Sequence, residues 1–371
     1  MTSPALTPQD SLPNYIDHAP LLSQGGVDLQ INGALGVSFN DLTASTAQRI
    51  PEICRFLWSQ GIDGFLPTLV TAGITDLQRS LGFWQAAIAS QQALQQTSSP
   101  INQALILGVH LEGPFLQPSK RGAHPAQHLQ PLTIQQIQAL CNDGEHDYWS
   151  TVKLVTLAPE LDPSGATIQY LRQRGITVSA GHTSANLAEA NLALSQGISM
   201  ITHTFNAMPA LHHRDGGLLG MALREPQVWC GLIADGVHVA PPMVDLVYRL
   251  KKFAPHPELN LPALFLVSDA LAPLGLPDGL YPWDQRTINV TNGTARLEDG
   301  TLSGTTLGLL DSVGHLVQWG ICTPAEAIAL ATTTPRYAID LPQSFRQAKP
   351  SLQWQVIKTN EGSRLQYARL P

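Results

Sequence analysis

Short apolar runs rich in β-branched residues alternate along the middle of the chain with longer stretches of helical spacing, a pattern that predicts parallel strands joined by helices. Eight such runs follow one another: GGVDLQI ending near Gln30, GIDGFLPTLV near Val70, LILGVHLE at Glu112, VKLVTLAPE near Glu160, ITVSAGH at His182, ISMITH at His203, WCGLIAD at Asp235 and ALFLVSD at Asp269. Helices are expected between them over 45–59, 76–96, 133–140, 168–173, 185–196 and 242–252, and then over 305–319. A last helix should open at Thr323-Pro324-Ala325-Glu326, where Thr caps, Pro fits the first turn and Glu completes a capping box. Eight strand–helix units predict an α/β fold closed into a (β/α)8 barrel, with polar residues at the strand ends, where that architecture places catalytic groups. The competing architecture is an open doubly wound sheet, but no G-x-G-x-x-G follows the first strand.

The two ends read differently. Residues 1–23 are Pro-rich and loop-like, while 341–371 contain LQWQVIKT and RLQYARL, which predict one β-hairpin. The expected organisation is therefore a barrel over 24–340 with a small β-rich appendage built from 1–23 and 341–371. The segment from Gln285 to Ser303 also predicts strands, around N-G and D-G turns. A Gln-rich patch at Gln91–Gln96 is expected to be exposed helix surface.

Composition narrows the function classes. With 43% hydrophobic and only 13% charged residues, most of the 371-residue chain must fold. The 21 basic against 28 acidic residues, net −7, offer no basic footprint for nucleic acid or an anionic membrane. No apolar run is long enough to cross a bilayer and the N-terminus has no hydrophobic signal core, so a cytoplasmic protein is expected. Cys54, Cys141, Cys230 and Cys322 are far apart and predict reduced, partly buried thiols.

Four strand ends carry candidate chemistry. Glu112, His182, His203 and Asp269 come from different strands, yet barrel closure aims them at one mouth. A carboxylate with two imidazoles is the ligand set of a catalytic zinc-type site with a position left for water. Asp269 reads either as a turn cap or as the base that takes a proton from metal-bound water. His18, His128, His146, His256 and His315 have no such context.

Seven ordered blocks, from Gly25 to about Arg336, carry a family resemblance: GGVDLQINGALGVSFND, HLEGPFLQPSKRGAHP, SAGHTSA, ITHTFNAMPALHHRDGG, IADGVHV, LVSDALAPLG and DGTLSGTTLGLLDSV. Through them the chain resembles the N-acetylglucosamine-6-phosphate deacetylases of the amidohydrolase superfamily. Many members of that superfamily carry His-x-His after the first strand, where this chain has Gln30-Ile31-Asn32; neutral amides are poor ligands for a divalent ion. The resemblance thus implies one divalent ion, zinc or iron, held by Glu112, His182 and His203. It implies Asp269 as catalytic base and acid and His124 as the group polarising the acetamide carbonyl. Substrate contacts are implied for Gln30, Asn32, His124, Asn206, Ala207, Arg214, His238 and Thr306, with Arg214 serving the neighbouring subunit of a homodimer. The implied products are acetate and glucosamine 6-phosphate. Two other readings are a deacetylase of another N-acyl sugar phosphate, such as the galactosamine epimer, and a non-catalytic sugar-phosphate-binding regulator. Joint retention of Glu112, His182, His203 and Asp269 argues against the regulator. Family members have longer β-rich ends, so the appendage here should be reduced.

Overall fold

The computed structural model describes residues 20–96, 102–359 and 362–370. Eight parallel strands, Gly26–Ile31, Ile62–Val70, Val109–Glu112, Val152–Leu157, Thr177–Ala180, Met200–Ile201, Trp229–Leu232 and Leu264–Leu266, pair in chain order. The last meets the first through an irregular seam: Asp269 N–H donates to Gln30 C=O (2.9 Å), and Asn32 N–H to Ala270 C=O (2.7 Å). Where no regular ladder forms, the buried Asp28 carboxylate accepts from Ser268 N–H (3.2 Å) and bridges the gap.

Side chains alternate across the barrel wall with the strand period of two. Leu66, Phe265 and Val267 join Val27, Leu29, Leu154 and Met200 in one buried cluster, while Phe65, Leu69, Leu264 and Leu266 pack in the larger cluster that includes the helices. Beyond the apolar lumen lies a layer of buried polar side chains: His110 Nδ1 is 3.2 Å from Thr68 Oγ1, and His110 Nε2 is 2.7 Å from Thr156 Oγ1. Thr202 Oγ1 continues the chain, 2.7 Å from Thr156 Oγ1 and 2.6 Å from Ser179 Oγ. Glu112, two residues past His110, and His203, one past Thr202, therefore rise from a hydrogen-bonded floor.

Most expected helices form, and Thr323, Pro324 and Glu326 make the expected capping box. The helix expected over 45–59 is two, Ala44–Ala47 and Ile50–Ser59, because Pro51 has no N–H to continue the first and suits the opening turn of the second. The 305–319 helix begins at Leu309, since Leu302–Thr305 is the last strand of an antiparallel sheet. That sheet starts before the expected segment: Gly279–Trp283, Arg286–Thr291, Thr294–Leu297 and Leu302–Thr305 form four strands after the eighth barrel strand. Gln91 is a correction to the exposed patch. It is buried, donating to Ala104 C=O (3.0 Å) and accepting from Ile106 N–H (2.9 Å), whereas Gln92–Gln96 are exposed.

An unanticipated helix, Gly217–Arg224, follows the sixth strand. The buried Lys251 ammonium donates to Ala222, Glu225 and Val228 carbonyls at 2.6, 2.9 and 2.8 Å, capping its C-terminal end. Lys251→Met removes donors from buried carbonyls and is expected to cost about 3 kcal/mol of stability. A denaturant midpoint equal to that of the parent would contradict this.

Leu21–Ser23, Leu352–Thr359 and Gly362–Arg369 form the terminal three-stranded sheet. Asp63 ties it to the barrel, accepting from Gly25 N–H (2.7 Å), Arg336 (3.0 Å), Arg369 (2.6 Å) and Ser351 (3.1 Å). The Pro-rich reading of residues 1–19 falls outside the described residues. Cys54, Cys141 and Cys230 are buried, Cys322 is half-buried, and all four are free thiols. Among the described residues no helix is long and apolar enough to cross a membrane.

Candidate metal centre and substrate cavity

Three strand ends converge at the barrel mouth. Glu112 Oε1 lies 3.2 Å from His182 Nε2 and 3.0 Å from His203 Nε2, and the two nitrogens are 3.0 Å apart. All three side chains are buried. His182 Nδ1 is 2.9 Å from Lys120 C=O, which can only accept, so Nδ1 carries the ring hydrogen. In the neutral ring Nε2 is then a bare lone pair facing a carboxylate and a second imidazole. Crowded acceptors of this kind call for a cation between them, and ligand atoms about 2.0–2.2 Å from one zinc-sized ion stand roughly this far apart. Although burial opposes ionisation, the neighbouring His182 and His203 rings hold Glu112 well below the usual carboxylate range.

The chain bends sharply to bring these groups together. His182, His203 and Asp269 adopt left-handed φ values of +49°, +28° and +47°, which cost non-glycine residues on the order of 1–3 kcal/mol each and mark positions fixed by their surroundings. Asp269 Oδ1 accepts from Asn32 Nδ2 (2.8 Å), and burial together with the charge of Glu112 pushes its carboxyl up to about 7.

His124 also offers a ring nitrogen within 4.8 Å of ligand atoms on Glu112 and His182. Its chemistry differs. Thr71 N–H donates to His124 Nδ1 (3.3 Å) and Thr71 Oγ1 is 2.8 Å from the same atom, which puts the ring hydrogen on Nε2. Burial pushes the imidazole down to about 3, so it is a neutral hydrogen-bond donor at pH 7.

A cavity of about 230 Å³ opens over these residues and is lined by Asn32, Glu112, His124, His182, His203, Asn206, Ala207, His238 and Asp269 among others. Three of the residues expected at the substrate are not in the lining of this cavity. Gln30 sits outside the lining, its side-chain amide engaged instead by the metal-site carboxylate, Nε2 donating to Glu112 Oε1 (3.0 Å). Thr306 is also outside the lining, with its N–H bonded to Gly293 C=O (2.8 Å). Arg214 is exposed beside His213 and does not reach the cavity. No Lys or Arg lines it among the described residues.

Several supporting groups surround these residues. Asp235 accepts from His238 Nδ1 (2.7 Å), and from the N–H groups of Val237 (2.9 Å) and His238 (2.8 Å), fixing that ring. Burial opposes the charge on Asp235, but the hydrogen bond and charge of His238, together with the Val237 and His238 N–H groups, outweigh it and lower the carboxyl pKa. Glu160 accepts from Thr183 Oγ1, Ser184 N–H (2.6 Å) and Gln117 Nε2 (3.3 Å), bracing the loop after His182. Both ended predicted strands, which was the available signal. Trp283 and Leu302 reach the cavity from the inserted sheet, and nothing in the sequence pattern marked them.

No family model matches the chain. A Bos taurus protein named N-acetylglucosamine-6-phosphate deacetylase is 35% identical over 328 residues, covering 86% of this chain and 75% of its own length. An Escherichia coli O157:H7 protein named N-acetylgalactosamine-6-phosphate deacetylase is 28% identical over 348 residues, 94% of this chain and 86% of its own. Among solved structures, the Thermotoga maritima N-acetylglucosamine-6-phosphate deacetylase gives a TM-score of 0.75 at 29% identity, covering 95% of this chain and 87% of that one. A mutant of the Mycobacterium smegmatis N-acetyl-D-glucosamine-6-phosphate deacetylase, in complex with N-acetyl-D-glucosamine-6-phosphate, gives 0.75 at 27% identity, covering 93% and 84%.

Proposed function

The chain belongs to the N-acetylglucosamine-6-phosphate deacetylase family, a family of hydrolases, and from that premise we propose that it cleaves the acetamide of N-acetylglucosamine 6-phosphate to acetate and glucosamine 6-phosphate. The observation that carries this reading is the meeting of Glu112, His182 and His203 within 3.0–3.2 Å, in a cavity that Asp269 and His124 also line.

Glu112, His182 and His203 would hold one divalent ion, zinc or iron, with Gln30 steadying the carboxylate and Lys120 C=O fixing the His182 tautomer. Such an ion, when bound, acidifies water and polarises a carbonyl. Asp269 takes the proton of the attacking water on its carboxylate and passes it to the departing nitrogen, so the amine leaves neutral. His124 donates from Nε2 to the carbonyl oxygen as charge develops there. Asn32 holds the Asp269 carboxylate by its Oδ1 and, lining the cavity, is within the substrate's surroundings.

At the other end, Asn206, Ala207 and His238 would receive the sugar phosphate. Because no guanidinium among the described residues lines the cavity and Arg214 is exposed, we assign the cationic partner of the phosphate to Arg214 of the partner subunit in a homodimer. Gln30 and Thr306 would act by support, not by contact. Residues 24–340 would carry the activity, with the terminal strands as a brace. Four free thiols fit a cytoplasmic setting.

A second reading, the galactosamine epimer as substrate, draws on the relative of that name, which spans 94% of this chain. Acetate release from both 6-phosphates by the zinc-loaded protein decides between them: faster release from the glucosamine compound supports the first reading, and faster release from the galactosamine compound the second. Release from neither overturns both. His124→Gln is expected to lower kcat by about 10²–10³-fold, the worth of one oxyanion donor, while bound metal stays unchanged. Loss of the metal in that variant would instead make His124 a ligand.

A further inference from the structure

A second, larger cleft of about 740 Å³ lies next to the substrate cavity, and three residues line both: Val70, His124 and Trp283. These shared residues form the wall between the two spaces. The wall stands where an acyl chain would run, because His124 is the group assigned to the carbonyl oxygen and the substituent on that carbonyl must extend beside it. We propose that Val70 and Trp283 set the length of the acyl group, closing the pocket behind a methyl and excluding longer chains. This rests on the deacetylase reading above and adds to it the residues that choose the acyl group.

Each component of the wall is held in place. The Asn40 side chain clamps the Val70 backbone in both directions, donating from Nδ2 to Val70 C=O (2.8 Å) and accepting at Oδ1 from Val70 N–H (2.7 Å). Trp283 ends the first strand of the inserted sheet, and the Arg286 guanidinium stacks 4.7 Å from its ring centroid. Arg286 is itself fixed, donating to Asp284 (2.5 Å) and to Ala123 C=O (2.9 Å) in the loop that carries His124. His124 is held by Thr71. A wall so anchored cannot yield to an extra methylene without breaking these contacts, whereas the cleft behind it has room for several.

One methylene that a rigid pocket must reject is worth about 10- to 200-fold in kcat/KM. The parent protein should therefore prefer N-acetyl over N-butyryl glucosamine 6-phosphate by at least tenfold. Shortening the wall opens the cleft: Trp283→Ala and, separately, Val70→Ala should each raise the butyryl-to-acetyl ratio of kcat/KM by about tenfold or more, with Trp283→Phe in between. Two single variants on different elements guard against one of them failing to fold. A ratio that stays within twofold of the parent in both variants, or a parent that accepts both acyl groups equally, overturns the proposal. If the parent releases acetate normally in those experiments, the deacetylase reading survives that failure; if the parent hydrolyses neither compound, it is the deacetylase reading that fails.

Discussion

Replacing Glu112 by Gln should leave a folded protein that no longer keeps its ion. The new amide matches the carboxylate in shape, and its oxygen can still accept from Gln30 Nε2, so the packing of the barrel mouth is preserved. What disappears is the negative charge between two imidazoles, and a neutral amide is a weak ligand for a divalent ion. Metal retained after dialysis is expected to fall from near one equivalent to a small fraction. Turnover should drop by roughly 10⁴-fold or more, because uncomplexed water, with a pKa of about 15.7 in place of about 7, supplies almost no hydroxide at neutral pH. The thermal midpoint of the metal-free protein should change little. A variant that keeps a full equivalent of metal through dialysis would remove Glu112 from the ligand set.

Asp269→Asn should separate binding from chemistry. Asn32 can still donate to the retained oxygen, and the left-handed backbone at this position tolerates Asn well. Metal content and affinity for the product sugar phosphate are therefore expected to match the parent. The amide can neither take the proton from water nor return it to the leaving nitrogen, so kcat should fall on the order of 10³-fold, within the range that a positioned acid–base group contributes. Turnover within threefold of the parent would show that another group moves the proton.

The barrel was legible in the sequence because its strands are buried on both faces and so read as short apolar runs, each closed by a polar residue. That same property located Glu112, His182, His203 and Asp269, since a side chain at the end of a parallel strand has only the mouth to face. Features that depend on side-chain direction at irregular backbone were not legible. Gln30 was expected at the substrate, but its side chain lies outside the cavity lining and donates to Glu112, in a strand whose pairing is irregular between Asp28 and Ile31. Helix 217–224 is hidden by glycines at Gly216, Gly217 and Gly220, and its stabilising partner, Lys251, lies on another helix. The first strand of the inserted sheet contains Pro282, which argues against a strand and is accommodated here on the edge of the sheet, so Trp283 gave no warning of its place in the cavity wall. Asp63 is a single acidic residue in a strand, and only the folded chain brings Arg336, Arg369, Ser351 and Gly25 to it.

His124 and His203 are the two candidates for the third ligand beside Glu112 and His182, and the distances and tautomers favour His203. Anomalous diffraction at the absorption edge of the bound metal, collected from crystals of the loaded protein, tests this most directly. The expected result is a single peak bonded to Glu112, His182 and His203, with Asp269 turned toward it and His124 unligated. A peak bonded to His124 in place of His203, or one lying away from the barrel mouth, would contradict it.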